Sequence, residues 1–309
     1  MRALAISGAG RQPEILTLTD PKPDSGEVLV RVAASSVNGF DVHLARAVGA
    51  GSIEGMMEHR YPIVLGKDFA GTVEAVGESA ERFAPGEKVF GVVMKPVLAD
   101  GAWSELLAVS EQYGVAAVPE GVDLTQAGAL GLAGTAGLQA VEALADVSGR
   151  TVLISGATGG VGTMAVQYAK AARARVVATA RPGDEADLVR GLGADEVVDY
   201  TAGLEAQVHE LAPEGVDAVL HFAGDAEQLL ALLREGGPFV STLGFGPDQH
   251  PAAVALMADP NGATLERLAA DLAAGRVRLH VEKAYRLEEA PQAIADFSAG
   301  SVGKLALKI

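Results

Sequence analysis

From residue 151 to residue 244 the chain repeats one rhythm: a short apolar run, a turn, then an amphipathic stretch. The runs "TVLISGA", "RVVATA", "EVVDY", "VDAVLHFAG" and "FVSTLG" follow one another at intervals of about 20 to 25 residues. Between them lie "GTMAVQYAKAA", "EADLVRGLG", "LEAQVHELA" and "AEQLLALLREG". Strands that are apolar throughout are buried on both faces, and strands that alternate with helices join in parallel. The pattern predicts an α/β domain with a doubly wound parallel sheet.

The rest of the chain reads differently. The first 115 residues or so are β-rich: "EVLVRVAASSV" alternates, "GTVEAVGESAERFAPGEKVFGVVM" holds two strands around a Pro-Gly turn, and "WSELLAVS" is another. Strands at this spacing suggest a compact, partly open barrel. "TQAGALGLAGTAGLQAVEAL" has helical periodicity. Beyond Pro251 the chain predicts a helix in "ATLERLAADLAAG", a strand in "VRLHV", a helix in "LEEAPQAIADFSAG" and a strand in "GKLALKI" that pairs back with the N-terminal β domain.

Composition closes several routes. A net charge of −16 disfavours binding to nucleic acid or anionic membrane surfaces. With no cysteine, the chain can form neither a disulfide nor a thiolate metal site. No run of 18 apolar residues occurs and the N-terminus has no signal-peptide core, so a soluble, cytoplasmic protein is expected.

The segment "SGATGGVGTMAVQYAK" lies between a strand and a helix of the repeating pattern. Ala157-x-Gly159-x-x-Gly162 falls at the turn, as in a dinucleotide fingerprint, with alanine in place of the usual first glycine. Gly159 would let backbone approach a pyrophosphate, Gly162 would let helix and strand pack closely, and the helix start supplies free N–H groups. Thr158, Gly160 and Val161 complete the turn. The second strand ends at Thr179, Ala180 and Arg181, where an NAD site would place an acid. A guanidinium there can bind a 2′-phosphate bidentately, which selects NADPH. The alternative is that Arg181 is a solvated loop residue and that Asp184 or Glu185 holds a ribose hydroxyl.

Taken in order, "VNGFDVHLAR", "LGKDFAGTVEAVGESAERFAPGEKVFG", "AGALGLAGTAGLQA", "SGATGGVGTMAVQYAK", "LGADEVVDY" and "GKLALKI" resemble the medium-chain dehydrogenase/reductase superfamily, in its zinc-free, quinone-oxidoreductase-like branch. The resemblance covers nearly the whole length. It implies a GroES-like catalytic domain over residues 1–120, completed by about 282–309, a Rossmann NADP(H)-binding domain over 121–281, and an active site in the cleft. Zinc-dependent relatives use a Cys and a His-Glu pair where this chain has Asn38 and Lys67-Asp68, and their four-cysteine lobe is missing after Gly86. An ammonium disfavours a divalent cation, so alcohol dehydrogenation becomes improbable.

What the resemblance leaves is hydride transfer from NADPH to a quinone or an α,β-unsaturated carbonyl. The alternatives are a dedicated enoyl or alkenal reductase and a non-catalytic NADPH-binding protein. By the same resemblance, Thr135 and Val161 flank the nicotinamide, and Leu243, Gly244 and Phe245 approach it with their backbone. Tyr200 lies by the adenosine phosphate, where Lys308 or Lys304 helps Arg181. Asn38 and Asp41 face the cleft, His43 stands where several relatives carry tyrosine and is a candidate proton donor, and Lys67 is a candidate cleft cation. The competing readings are core packing for Val161, Leu243 and Phe245, a half-buried strand end for Tyr200, a surface imidazole for His43 and an ion-pair partner for Lys67. The stretch 48–64, with its glycines and two methionines, is expected to wall the substrate pocket. Homodimers are the family's habit.

Overall fold

The structure, a computed structural model, describes residues 1–52 and 57–309. The chain forms two compact units: Met1–Leu132 with Pro260–Arg276 and Val281–Ile309, and Ala133–Asp259 with Val277–His280.

The first unit runs β1 (Arg2–Ile6), β2 (Glu14–Thr17), β3 (Glu27–Ser36), α1 (Gly39–Gly49), β4 (Ile63–Val64), β5 (Asp68–Val76), β6 (Lys88–Val92), β7 (Leu106–Ser110), β8 (Val115–Ala117) and the start of α2 (Leu124–Glu142). The second continues through β9 (Thr151–Ser155), α3 (Gly160–Ala171), β10 (Arg175–Thr179), α4 (Asp184–Gly191), β11 (Glu196–Val198), α5 (Leu204–Leu211), β12 (Ala218–His221), α6 (Ala226–Leu230), β13 (Phe239–Ser241) and β14 (Ala253–Ala255). Then α7 (Gly262–Ala273), β15 (Val281–Arg286), a 3-10 turn (Leu287–Glu289), α8 (Ala290–Ala299) and β16 (Lys304–Lys308) belong again to the first unit.

In the first unit β3 is the strand on which the rest is organised. Its inward residues Val28, Val30 and Val32 are buried with Phe69, Val89 and Leu107. It pairs antiparallel with β5 along its length, with β7 through Glu27–Arg31, and with β16 through Ala34–Ser36. The last strand therefore does pair with the N-terminal β domain. A second sheet, β2-β1-β4, packs its buried side into a cluster containing Leu4, Ile63, Leu65 and Trp103. Trp103 explains Gly66: that residue has φ +100, and a Cβ there would sit 2.3 Å from the indole ring. Only glycine allows this conformation and approach, which set the direction in which the next residue, Lys67, leaves.

The second unit is the parallel sheet, in the order β11-β10-β9-β12-β13-β14. Every adjacent pair is parallel. β14, three residues long, is an addition to the five strands read above. Strand order reverses between β9 and β12, and α/β sheets bind ligands outside the carboxyl ends of strands at such a point.

Some boundaries differ from the sequence reading. The units part at Leu132/Ala133, inside α2, and not at residue 120; α7 groups with the first unit, where Arg82 meets Glu266 at 2.8 Å. "VRLHV" is not a strand. Arg278 is held by a side chain in place of a strand partner: its N–H donates to Gln167 Oε1 at 2.8 Å, and its carbonyl accepts from Gln167 Nε2 at 2.9 Å. The strand begins at Val281. Of the 48–64 stretch, residues 53–56 lie outside the described residues; its flanks end α1 and form β4.

The turn before α3 is the tightest backbone crossing in the second unit. A Cβ on Gly162 would lie 2.1 Å from the Gly156 carbonyl and 2.5 Å from Ala157 Cα. Neither neighbour is a movable side chain, so Gly162→Ala is expected to lower stability by about 1–3 kcal/mol. A urea midpoint equal to that of the wild type would show that the turn opens freely.

Candidate active site

The glycine turn has the form a dinucleotide cradle needs, with one change of detail. The turn residue at positive φ is Gly156, at +67°, and Ala157 behind it is fully buried. A Cβ on Gly156 would meet Ala223 at 2.9 Å. The glycine seemingly replaced by Ala157 thus stands one position earlier. Gly159 caps α3, and its N–H donates to the Gly156 carbonyl at 3.1 Å. Thr179 Oγ1 accepts from the Gly156 N–H at 3.0 Å, tying the end of β10 to the turn. Thr135 on α2 is fully buried, yet its Oγ1 has no hydrogen-bond partner among the described residues. A buried hydroxyl without a partner and a turn that excludes side chains both fit a cofactor lying against this unit.

At the end of β10 the structure pairs the arginine of "ARPGDE" with its last acid. Glu185, in the first turn of α4, accepts from Arg181 Nε at 2.8 Å, Arg181 Nη2 at 2.6 Å and the Arg181 N–H at 2.8 Å. The Glu185 side chain is 8% exposed, whereas that of Arg181 is 60% exposed. The acid is spent on orienting the guanidinium, whose outer edge remains in solvent. Tyr200 follows β11, half exposed, with its hydroxyl pushed up by burial and then by the Glu185 carboxylate. Val161 is half-buried at the start of α3, and Leu243, Gly244 and Phe245 form the loop after β13, where Leu243 is exposed and Phe245 packs edge-on to Phe239.

The first unit contains a buried polar cluster. Asp68 Oδ2 accepts from Ser36 Oγ at 2.6 Å, Asn38 Nδ2 at 2.9 Å and Lys304 Nζ at 3.5 Å, while Oδ1 accepts from the Leu132 N–H at 2.7 Å. Lys304 Nζ also donates to Asn38 Oδ1 at 2.6 Å and to the Val37 carbonyl at 3.1 Å. Lys304 is therefore no helper of Arg181: it is 3% exposed and its ammonium is fully engaged here. Lys308 is exposed at the end of β16. Burial lowers the affinity of Lys304 for its proton, and the carboxylates of Asp68 and Asp41 oppose that.

Asp41 and Lys67 stand beside this cluster with unmet valences. One Asp41 oxygen accepts from the Asn38 N–H at 2.9 Å, half of a capping box at the start of α1. Its Oδ1 is buried and has no partner among the described residues. Burial first, then the charge of Asp68, pushes the Asp41 carboxyl up to about 7. Lys67 has its ammonium 5.1 Å from the centroid of the Phe40 ring, and burial pulls its pKa down. Both residues line a cavity of about 10 Å³, walled otherwise mainly by Leu44, Ile63, Val93 and Leu98. That is room for one water molecule. His43 is on the exposed side of α1 and does not line this cavity.

Two family descriptions match this chain: Alcohol dehydrogenase GroES-like domain over residues 24–120, and Zinc-binding dehydrogenase over residues 160–265. A spinach chloroplast protein named a quinone-oxidoreductase homolog is 33% identical over 232 residues, 72% of this chain and 68% of its own length. The chain belongs to the medium-chain dehydrogenase/reductase superfamily, in its quinone-oxidoreductase-like branch.

The human mitochondrial NAD(P)H oxidoreductase RTN4IP1 is 36% identical over 219 residues, 66% of this chain; the chain spans only 54% of that relative's length. The quinone oxidoreductase of Coxiella burnetii superposes over all of this chain and 99% of its own with a TM-score of 0.88 at 26% identity. Asn38, Lys67 and Asp68 supply an amide already bonded at both ends, an ammonium, and a carboxylate with four donors; this set does not fit zinc. Among the described residues no group of three or more His, Cys, Asp or Glu is placed to hold a metal. Nor is any described helix long and apolar enough to cross a membrane.

The unmet Asp41 carboxyl has a consequence for stability. Its folded pKa, about 7, lies above the ordinary 3.8, so the folded state holds this proton more tightly than the unfolded one. That contribution is fully present below about pH 4 and is lost as pH rises through 7. Each pH unit in the window is worth about 1.4 kcal/mol. Asp41→Asn, which keeps an acceptor for Asn38, should match the wild type near pH 4 and exceed it by a few kcal/mol at pH 8. Urea titrations at pH 4, 6 and 8 would check this, and parallel curves would mean an ordinary carboxylate.

Proposed function

We propose that this chain is a metal-independent, NADPH-dependent oxidoreductase that reduces quinones or α,β-unsaturated carbonyls, working as a homodimer. The observation that carries the reading is the Lys67–Asp41 pair: an unbonded ammonium and a carboxyl with an unpartnered buried oxygen share one water-sized cavity, where zinc-dependent relatives bind metal. An ammonium can hydrogen-bond the carbonyl oxygen and give it its own proton, which a bare metal ion cannot. Such a site suits acceptors that are already electron-poor.

The residues of the second unit support the cofactor. The Gly156–Gly162 turn and the N–H groups at the start of α3 would hold a pyrophosphate, and Thr135 would bond the nicotinamide end. Arg181, oriented by Glu185, would meet the 2′-phosphate with its outer edge. Bound there, NADPH supplies the hydride. Lys67 then delivers a proton to the developing oxyanion, and Asp41, half protonated near neutrality, refills Lys67 through the cavity water. His43 gives up the donor role to this pair.

Steady-state assays with 1,4-benzoquinone, small enones, saturated ketones and ethanol test the reaction. Turnover is expected with the first two only, and Lys67→Met should slow enone reduction tenfold or more beyond its effect on quinones, because a reduced quinone takes protons readily from water. Turnover confined to ethanol or acetone would end the proposal. For the cofactor, Arg181→Ala should weaken NADPH by roughly tenfold or more while leaving NADH little changed, the loss of one charge-assisted contact. Equal wild-type affinities for the two cofactors would overturn the assignment to Arg181.

A further inference from the structure

Four adjacent strands of the second unit end on buried polar side chains. Thr179 ends β10, Ser155 β9, His221 β12 and Ser241 β13, and none is more than 4% exposed. The register sets His221 beside Ser155 on one side and Ser241 on the other. Thr179 and Ser155 each hold the loop of the next strand: Thr179 takes the Gly156 N–H, and Ser155 Oγ donates to the Ala223 carbonyl at 2.7 Å. His221 and Ser241 hold their own loops and each other. Imidazole Nε2 lies 3.1 Å from the Gly224 carbonyl, Nδ1 lies 3.0 Å from Ser241 Oγ, and Ser241 Oγ accepts from the Leu243 N–H at 3.0 Å.

These contacts leave one consistent proton arrangement. A carbonyl oxygen only accepts, so the proton of a neutral imidazole sits on Nε2. Nδ1 is then an acceptor, and the Ser241 hydroxyl donates to it while receiving Leu243. A second proton, on Nδ1, would face the Ser241 hydroxyl hydrogen, and Ser241, fully buried, has no other acceptor among the described residues. Of the loops joined in this way, 222–225 borders the point where strand order reverses and 242–246 lies one strand beyond it, with Leu243 56% exposed.

We propose that His221 is a positioning residue for the nicotinamide cofactor: neutral, it locks the loops after β12 and β13 at one spacing, and protonated it releases the Leu243 loop. The cofactor itself rests on the reading given above. Burial, with the Phe239 ring 5.4 Å away, lowers the pKa of His221 below the ordinary value. Asp225 opposes this from the loop after β12, where its carboxylate caps α6. Ser155 on β9 and Ser241 on β13 face the imidazole without charge. Release is therefore confined to pH below the usual histidine range.

Calorimetric titration of the full chain with NADP⁺ between pH 5 and 8 tests this, using wild type, His221→Asn and His221→Leu. Asparagine places an acceptor where Nδ1 stands and cannot be charged, and it experiences the same titration of the ligand's phosphate. The wild-type Kd is expected to rise at least tenfold more than that of His221→Asn on going from pH 7.5 to 5. At pH 7.5 His221→Leu should bind at least tenfold more weakly than wild type, with His221→Asn between them. Imidazole ¹⁵N shifts of the wild type should show a neutral ring with the proton on Nε2 at pH 7. Identical pH profiles for wild type and His221→Asn, or a proton on Nδ1, would overturn the positioning role with the cofactor reading intact. Failure of the wild type to bind NADP⁺ at any pH would overturn both.

Discussion

A carboxylate with no access to solvent must be met by donors or not be there at all, and Asp68 is met by four. They come from β3 through Ser36, from the cap of α1 through Asn38, from β16 through Lys304 and from α2 through the Leu132 N–H. Removing one partner from a buried charge of this kind typically costs about 3–5 kcal/mol. The cluster therefore demands that the last strand of the chain return to the third and that α1 begin just after its cap, Asn38. Segments far apart in sequence are locked to one another at a single buried point, and Lys67 and Asp41 are fixed beside it.

Buried polar groups divide into those whose partners the fold supplies and those it leaves open. Asp68 and Lys304 have their hydrogen bonds and serve the fold. Asp41 Oδ1, Thr135 Oγ1 and Tyr61 Oη lack them among the described residues. Leaving a buried polar atom without a partner costs about 1–3 kcal/mol, so a fold keeps such atoms where a ligand, a water or a proton completes them. Glu185 follows the same logic in reverse. It uses its whole carboxylate to steer an exposed guanidinium, so neither oxygen is left without a donor.

Much of this was legible in the sequence because it depends on local period and on single residue types. The apolar runs had to be buried strands, "GKLALKI" had to be a strand, and the glycine turn had to lie between β9 and α3. The absence of cysteine, with lysine at position 67, removed the thiolate chemistry. The misread points are those set by residues far along the chain. Gln167 bonds the backbone of Arg278 in place of a strand partner, and the glycine sought at Ala157 stands at Gly156, where a Cβ would meet Ala223.

By itself the sequence determined the two fold types, the cradle's position and the residue types at the metal's usual place, since these follow from spacing and from what each side chain can and cannot do. Only the tertiary structure decided which polar groups are paired. It engaged Lys304 with Asp68 and Asn38, spent Glu185 on Arg181, left Asp41 Oδ1 open and lined up Thr179, Ser155, His221 and Ser241. Hydrogen bonding and burial depend on distances of a few ångströms between residues as much as 286 positions apart, and no local pattern in the chain encodes them.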